Sequence, residues 1–381
     1  MEKPCTILWI GPEPPSAVRE AINGHWRIAP LNEPVAVRNL PADATLAIVH
    51  DQYEGSASAV RQLQAAGIVT VVLGASAGES GAEFPILRVS QDVSVEELRA
   101  RLETAVALAP TLKRMHNGIL EAETLSREAS RTANEIAEEM QLAQQLQQDF
   151  LPRNLPQVGP IRFGVRYVSA GFVSGDIYDV TRLDETHVGF YVADAVGHGM
   201  PAALMTMFIK KALQTKRISG NTYEIIPPNE ALGQLNADLH RQKLSMCEFC
   251  TVVYGVIDVA NLTCTVSRAG HPPPIWMHAD GSYETVEMLG SLLGIIENTT
   301  FESRTLKLQP GDRLLLFSDG AEDVICGKGR DRTLTMDKYV ASITKLPRED
   351  FLARLTASVP SNGADDDVTL LLLDVEAREL V

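Results

Sequence analysis

Basic side chains are in short supply. The 381 residues hold 34 Lys and Arg against 49 Asp and Glu, a net charge of −15. A chain this acidic is a poor general binder of nucleic acid or anionic membrane. Cysteine is scarcer: Cys5, Cys247, Cys250, Cys264 and Cys326 form an odd, sparse set. Such a set argues against a disulfide framework and fits a reducing, cytoplasmic compartment. Long apolar runs are also missing, and no window nears the roughly 18 residues of a membrane helix. The N-terminus, with Glu2 beside Lys3, lacks the pattern of a signal peptide. What remains is an ordinary globular mixture, 45% hydrophobic and 22% charged, which excludes wholesale disorder.

Three segments follow from the patterning. In residues 1–110, β-prone runs at 6–10, 45–49, 69–73 and 85–89 alternate with helical stretches at 16–22, 59–66 and 93–108. That alternation predicts an α/β domain with a small parallel sheet. Its length and order of elements resemble a response-regulator receiver. Its chemistry departs from one: Gly11-Pro12-Glu13 stands where a receiver has acidic residues, Gly74 follows Leu73, and Arg88-Val89-Ser90 replaces the expected Lys. Asp51 falls near the phosphoacceptor position without those partners, so the domain reads as a degenerate receiver used for binding or dimerisation. Residues 111–151 lack Pro, and Gly118 is their one Gly. Ile119, Ala122, Ser126, Ala129, Ala133, Ile136, Met140, Ala143, Gln147 and Phe150 keep a 3-4 spacing, which predicts a helical linker able to form a weak dimeric coiled coil. Pro152 and Pro156 end it. Residues 152–381 carry strand signals at 161–168, 187–193, 250–258, 263–267, 313–317 and 368–375. Helical stretches lie at 201–216, 229–241, 336–344 and 349–357. This predicts an α+β layered sandwich (α-β-β-α) with mostly antiparallel sheets.

Chemistry concentrates in four acidic corners of this last segment. They are Ser174-Gly175-Asp176-Ile177-Tyr178-Asp179, Asp194-Ala195-Val196-Gly197-His198-Gly199, Ser318-Asp319-Gly320 and Asp365-Asp366-Asp367. Asp319 follows the run Leu314-Leu315-Leu316-Phe317, and Asp366 precedes Val368-Thr369-Leu370-Leu371-Leu372-Leu373. If those strands are antiparallel neighbours, both carboxylates reach one edge of the sheet. Asp194 also follows a β-prone run. Clustered carboxylates with few basic neighbours call for a divalent cation, and oxygen-only ligands select Mg²⁺ or Mn²⁺ over Zn²⁺. Two such ions would activate a bridging water and clamp a phosphoryl oxygen.

In this order the corners resemble the PPM (2C-type) metal-dependent Ser/Thr phosphatases, in the bacterial branch of stage II sporulation protein E and the sigma-B regulator U phosphatase. The resemblance spans about residues 143–375. It also rests on Gln145, Gln148-Asp149-Phe150-Leu151-Pro152, Met200-Pro201-Ala202-Ala203, Ala269-Gly270-His271-Pro272-Pro273-Pro274, Leu293-Gly294 and Pro310-Gly311-Asp312. It implies that Asp194 bridges two Mn²⁺ or Mg²⁺ ions, with the Ala195 carbonyl as a further ligand. Asp319 and Asp366 would complete one metal, Asp176 would bind the second, and Asp179, Asp367 and Asp323 would stand in the outer shell. The family usually has Glu where this chain has Asp323, and no phosphate-holding Arg can be mapped. The implied substrate is a phosphorylated anti-sigma-factor antagonist of STAS type. An activating protein would act at the N-terminal domain, and the linker would pair two copies.

Other readings stand beside this one. A non-catalytic dimeric scaffold could bind the same phosphoprotein, and a small metabolite could be the substrate. A Cys-x5-Arg spacing from Cys326 to Arg332 reads as a basic surface loop, because no clear strand leads into it. His198 and His271 read as turn residues, and Cys247 and Cys250 as buried thiols without the second pair a zinc site needs.

Overall fold

Residues 5–31, 40–41, 44–74, 86–197, 199–242, 249–327, 334–357 and 365–376 are described by the computed structural model. They fall in two units, Met1–Asn134 and Glu135–Val381. In the first, the chain runs β1 (Thr6–Ile10), α1 (Ser16–Ile22), β2 (Arg27–Pro30), β3 (Ala44–His50), α2 (Ser56–Ala65), β4 (Val69–Leu73), β5 (Ile86–Val89) and α3 (Val95–Phe150). The strands are all parallel, in the order β2-β1-β3-β4-β5, a doubly wound order. Ile7, Trp9, Ile48 and Val71 pack against α1 and the start of α3. Leu8, Ile10, Ala47 and Val49 pack against α2 on the other face. Burial on both faces is why these strands read as unbroken apolar runs. The short edge strand β2 gave no such signal: it carries Arg27 and Pro30, which an edge tolerates.

The expected helix boundary near Pro110 is not there. α3 continues through that proline for 56 residues. Pro110 forfeits one backbone hydrogen bond. Ala105 and Ala109 on one side of it are buried, and Leu112 on the other packs into the same core, so both flanking turns are held on the sheet.

The second unit begins within α3 and continues β6 (Ile161–Val168), β7 (Asp176–Arg182), β8 (His187–Ala195), α4 (Met200–Ala212), β9 (Lys216–Ser219), β10 (Thr222–Ile225), α5 (Pro228–Gln242), β11 (Cys250–Asp258) and β12 (Thr263–Ala269). It ends with β13 (Ile275–Met277), β14 (Tyr283–Thr285), β15 (Ser303–Lys307), β16 (Arg313–Phe317), α6 (Asp319–Cys326), α7 (Met336–Ile343), α8 (Arg348–Thr356) and β17 (Val368–Val375). Two antiparallel five-stranded sheets result, ordered β15-β12-β11-β8-β7 and β14-β13-β16-β17-β6. Val192, Val253, Leu314, Leu316, Leu371 and Leu373 fill the space between them. Tyr191, Ala193 and Val252 turn outward under α4 and α5. Leu315, Phe317, Leu370 and Leu372 turn outward under α7 and α8. The layers are therefore α-β-β-α, as the patterning predicted. The helix expected over 201–216 stops at Ala212, and β9 and β10 form a separate hairpin around Asn221.

Candidate active site

Strand register assembles the acidic corners. β7 and β8 place Asp176 directly opposite Asp194. Side chains alternate across a strand, so both carboxylates lie on the face turned toward the second sheet. In that sheet β16 pairs antiparallel with β17, Phe317 against Leu370. Asp319 just after one strand and Asp366 just before the other therefore flank the same end, as expected. Asp194, Asp319, Asp365, Asp366 and Asp367 line a single cavity of about 690 Å³. Asp194 stands at a strand end, as the sequence suggested, and β8 runs one residue past it to Ala195. Asp319 is the first residue of α6, an element the sequence did not signal.

The electrostatics are those of a site short of positive charge. Burial, then the charges of Asp319, Asp366 and Asp367, push the Asp194 carboxyl up to about 7. Asp176 is fully buried and driven well above the usual range, first by burial and then by Asp194. The Thr369 hydroxyl donates to its Oδ2 at 2.6 Å, which pulls the other way. Partial burial and Asp366 raise Asp319. No Lys or Arg lines the cavity among the described residues. Like charges set directly opposite one another in a sheet are destabilising, so a divalent cation is the natural counter-charge. Among the described residues no three acidic, His or Cys side chains close into one coordination sphere. A cation here would draw much of its shell from water, which suits Mg²⁺ or Mn²⁺. Asp194, Asp319 and Asp366 present oxygens to the cavity. Asp176 and the Ala195 backbone lie buried outside its lining.

Other residues hold this arrangement in place. Asp367 accepts from the Ala170 amide at 2.8 Å and the Gly175 amide at 2.6 Å, tying the loop before β7 to the start of β17. Its placement is that of a loop clamp. Gly175 leaves little room for a side chain: a Cβ there would lie 3.0 Å from the Ala195 carbonyl and 3.2 Å from the Gly197 carbonyl, so the backbone would have to give. Gly320 is tighter still, because a Cβ would collide with the Asp367 carbonyl. The Ser318 amide donates to the Thr369 carbonyl at 3.0 Å, and its Oγ accepts from the Thr369 amide at 3.0 Å. Asp179 does not join the cluster. Three residues along a strand reverse the face, and Asp179 instead meets Lys210 of α4 at 2.5 Å. Asp323 lies one helical turn beyond Asp319, where its charge adds to the upward push on that carboxyl.

Two contributors went unrecognised in the sequence. Gln145 is exposed, whereas Gln147 is buried. The Gln147 amide accepts from the Ser174 N–H at 2.8 Å and donates to the Ser174 carbonyl at 2.7 Å and the Thr206 hydroxyl at 3.2 Å. The end of α3 thereby grips the loop that carries Asp176. Thr251 of β11 lies opposite Asp194 and lines the cavity. Its partner is His271, which lies in the bend after β12, as expected of a turn residue, and is buried there. His198, Cys247 and Arg332 lie outside the described residues. Cys250 is buried.

The signature of the family described as stage II sporulation protein E (SpoIIE) matches residues 184–376. The chain belongs to this family. The match opens after Asp176 and takes in Asp194, Asp319 and Asp366. This SpoIIE-family chain is 27% identical to phosphoserine phosphatase RsbP of Bacillus subtilis over 241 residues, covering 62% of this chain and 58% of RsbP. It is 30% identical to phosphoserine phosphatase RsbU of the same organism over 190 residues, covering 50% and 55%. A crystal structure of RsbU and RsbW domains from Mycobacterium tuberculosis superposes with a TM-score of 0.50 at 28% identity, covering 58% of this chain and 63% of that one. The chain thus spans less than two-thirds of the length of each of these relatives.

Proposed function

We propose that the C-terminal unit is a Mn²⁺- or Mg²⁺-dependent phosphatase that removes phosphate from phosphoserine or phosphothreonine of a protein. The observation that carries this is the convergence of Asp194, Asp319 and Asp366 on one cavity whose described lining holds no Lys or Arg, with Asp176 opposite Asp194. Two divalent ions, when bound, lower the pKa of a water and neutralise phosphoryl oxygens. Asp194, Asp319 and Asp366 would hold them from the cavity wall, with Asp176 and the Ala195 carbonyl behind. Thr369 fixes the Asp176 carboxylate, and Asp367 keeps its loop closed on β17. The open cavity admits a phosphorylated side chain.

Relatives named phosphoserine phosphatase, and a related structure containing an RsbW domain, support a phosphoprotein substrate in a partner-switching pathway. The substrate we favour is a phosphorylated STAS-type anti-sigma-factor antagonist in the cytoplasm. The doubly wound first unit fits a receiver-like input domain for an activating protein. Leu108, Met115, Ile136 and Phe150 are exposed on α3, spaced by seven or its multiples, which supports pairing of two copies along that helix. Among the described residues no helix is long and apolar enough to cross a membrane.

The test is phosphate release from p-nitrophenyl phosphate and a phosphoserine peptide, with and without Mn²⁺, for the wild-type chain and Asp194→Asn. Metal-dependent release that vanishes in the variant is expected. Release that ignores both Mn²⁺ and the substitution would overturn the proposal.

A further inference from the structure

The cavity is short of hydrogen-bond donors. Its described lining offers five carboxylates, which only accept when ionised, and one side-chain hydroxyl, Thr251. A phosphoryl group brings further acceptors. Thr251 is therefore the one described side chain of the lining that can donate to it. Its position is fixed by the sheet: Asp176, Asp194 and Thr251 sit in register across the neighbouring strands β7, β8 and β11, on the same face.

Behind Thr251 stands His271, with no solvent exposure. Its Nδ1 lies 2.7 Å from the Thr251 Oγ1. Burial pushes the imidazole down to about 3, against an opposing pull from the Phe317 carbonyl, so the ring is neutral and carries one proton. Nε2 is buried and makes no hydrogen bond. A proton placed there would be an unsatisfied buried donor, which is costly. With the ring proton on Nδ1, His271 donates to Thr251 Oγ1. That leaves the hydroxyl's own proton for the cavity.

We propose that Thr251 donates a hydrogen bond to a phosphoryl oxygen of the bound substrate, and that His271 is the positioning residue that sets the Thr251 hydroxyl for it. This rests on the phosphatase reading above. A neutral donor suits this place. A Lys or Arg beside Asp194 would pair with it, as Lys210 does with Asp179 on the opposite face.

Four variants of the full chain test the assignment: Thr251→Val, Thr251→Ser, His271→Leu and His271→Asn. Each is assayed on p-nitrophenyl phosphate at saturating Mn²⁺, with inorganic phosphate as the competing probe. Calorimetry measures Mn²⁺ affinity, and thermal melting confirms folding. Thr251→Val should weaken phosphate inhibition and lower kcat/KM by about ten- to a hundredfold, the range for a hydrogen bond to a charged group. Mn²⁺ affinity should not change. Thr251→Ser, which keeps the hydroxyl, should recover most of what Thr251→Val loses. His271→Leu should follow Thr251→Val, and His271→Asn, whose amide N–H can replace Nδ1–H, should recover activity. Nitrogen NMR shifts of His271 should place its proton on Nδ1. Unchanged phosphate inhibition in folded Thr251→Val, Mn²⁺ affinity falling in step with activity, or a proton on Nε2 would each overturn the assignment. If the wild-type chain releases no phosphate, the phosphatase reading falls first. Calorimetric binding of inorganic phosphate to the Mn²⁺-loaded chain then decides Thr251 separately, and equal affinity in wild type and Thr251→Val overturns it.

Discussion

Asp51 and Asp194 hold similar stations in the two units. Each stands at the end of a buried strand, Asp51 just past β3 and Asp194 at the close of β8. Their surroundings differ in kind. Asp51 meets His50 at 3.6 Å and leans over Gly74, where any side chain would collide with its carboxylate. Asp194 meets other carboxylates from two different sheets. A single acid at a sheet edge can be accommodated by its local turn. Several acids brought together from distant parts of the chain leave a charge that local structure does not balance. The proposed function rests on that convergence, which Asp51 lacks among the described residues.

The largest expected effect tests that contrast directly. Asp194→Asn should lower Mn²⁺-dependent phosphate release by about a thousandfold or more, as loss of a metal-bridging acid does. Asp51→Asn should leave the rate of the same assay near wild type. A comparable loss at Asp51 would break the comparison and restore a chemical role to the first unit.

Glycine substitution extends the contrast to packing. Gly320→Ala drives a Cβ into the Asp367 carbonyl, with Asp366 Cβ 3.1 Å away. Urea unfolding of the C-terminal transition should show a loss of about 2–4 kcal/mol. Gly118→Ala on α3 meets open space, and should gain up to about 1 kcal/mol from helix propensity. Next in size is Gln147→Ala, which strips three hydrogen bonds and leaves the buried Ser174 backbone unsatisfied. It should cost about 1–3 kcal/mol, with phosphate release falling while Asp194 is intact. Full activity in a folded Gln147→Ala chain would separate the end of α3 from the site.

The sequence shows best what local pattern controls. Leu370 to Leu373 reads as one apolar run because alternate residues serve two cores, and that run correctly placed Asp366 at a strand start. The four acidic corners were visible as motifs. Their faces were less so: Asp176 and Asp179 look equivalent in one short stretch, but the strand period sends Asp179 to Lys210. Gln147 looked like a flaw in a helical seam, because its partners lie 27 and 59 residues away. Thr251 gave no signal, since only the register of β8 and β11 brings it beside Asp194. Pro110 misled because a breaker is visible locally, whereas the packing of Ala109 and Leu112 that overrides it is not.

The smallest expected effect concerns pH and follows from the raised carboxyls. Asp176, Asp194 and Asp319 all bind protons more tightly in the folded, metal-free chain than in the unfolded one. Each therefore adds stability below the ordinary carboxylate range, near pH 4, where both states are protonated. That contribution is lost as pH rises through the folded value, about 7 for Asp194. Mn²⁺ binds the ionised carboxylates and reverses the loss. The rise in melting temperature on adding Mn²⁺ should then be larger at pH 8 than at pH 5, by about 2–4 °C for each kcal/mol regained. The gain should disappear in Asp194→Asn and persist in Asp51→Asn. A shift of equal size at both pH values would mean that the ion binds away from the cluster, and the contrast between the two aspartates would lose its electrostatic basis.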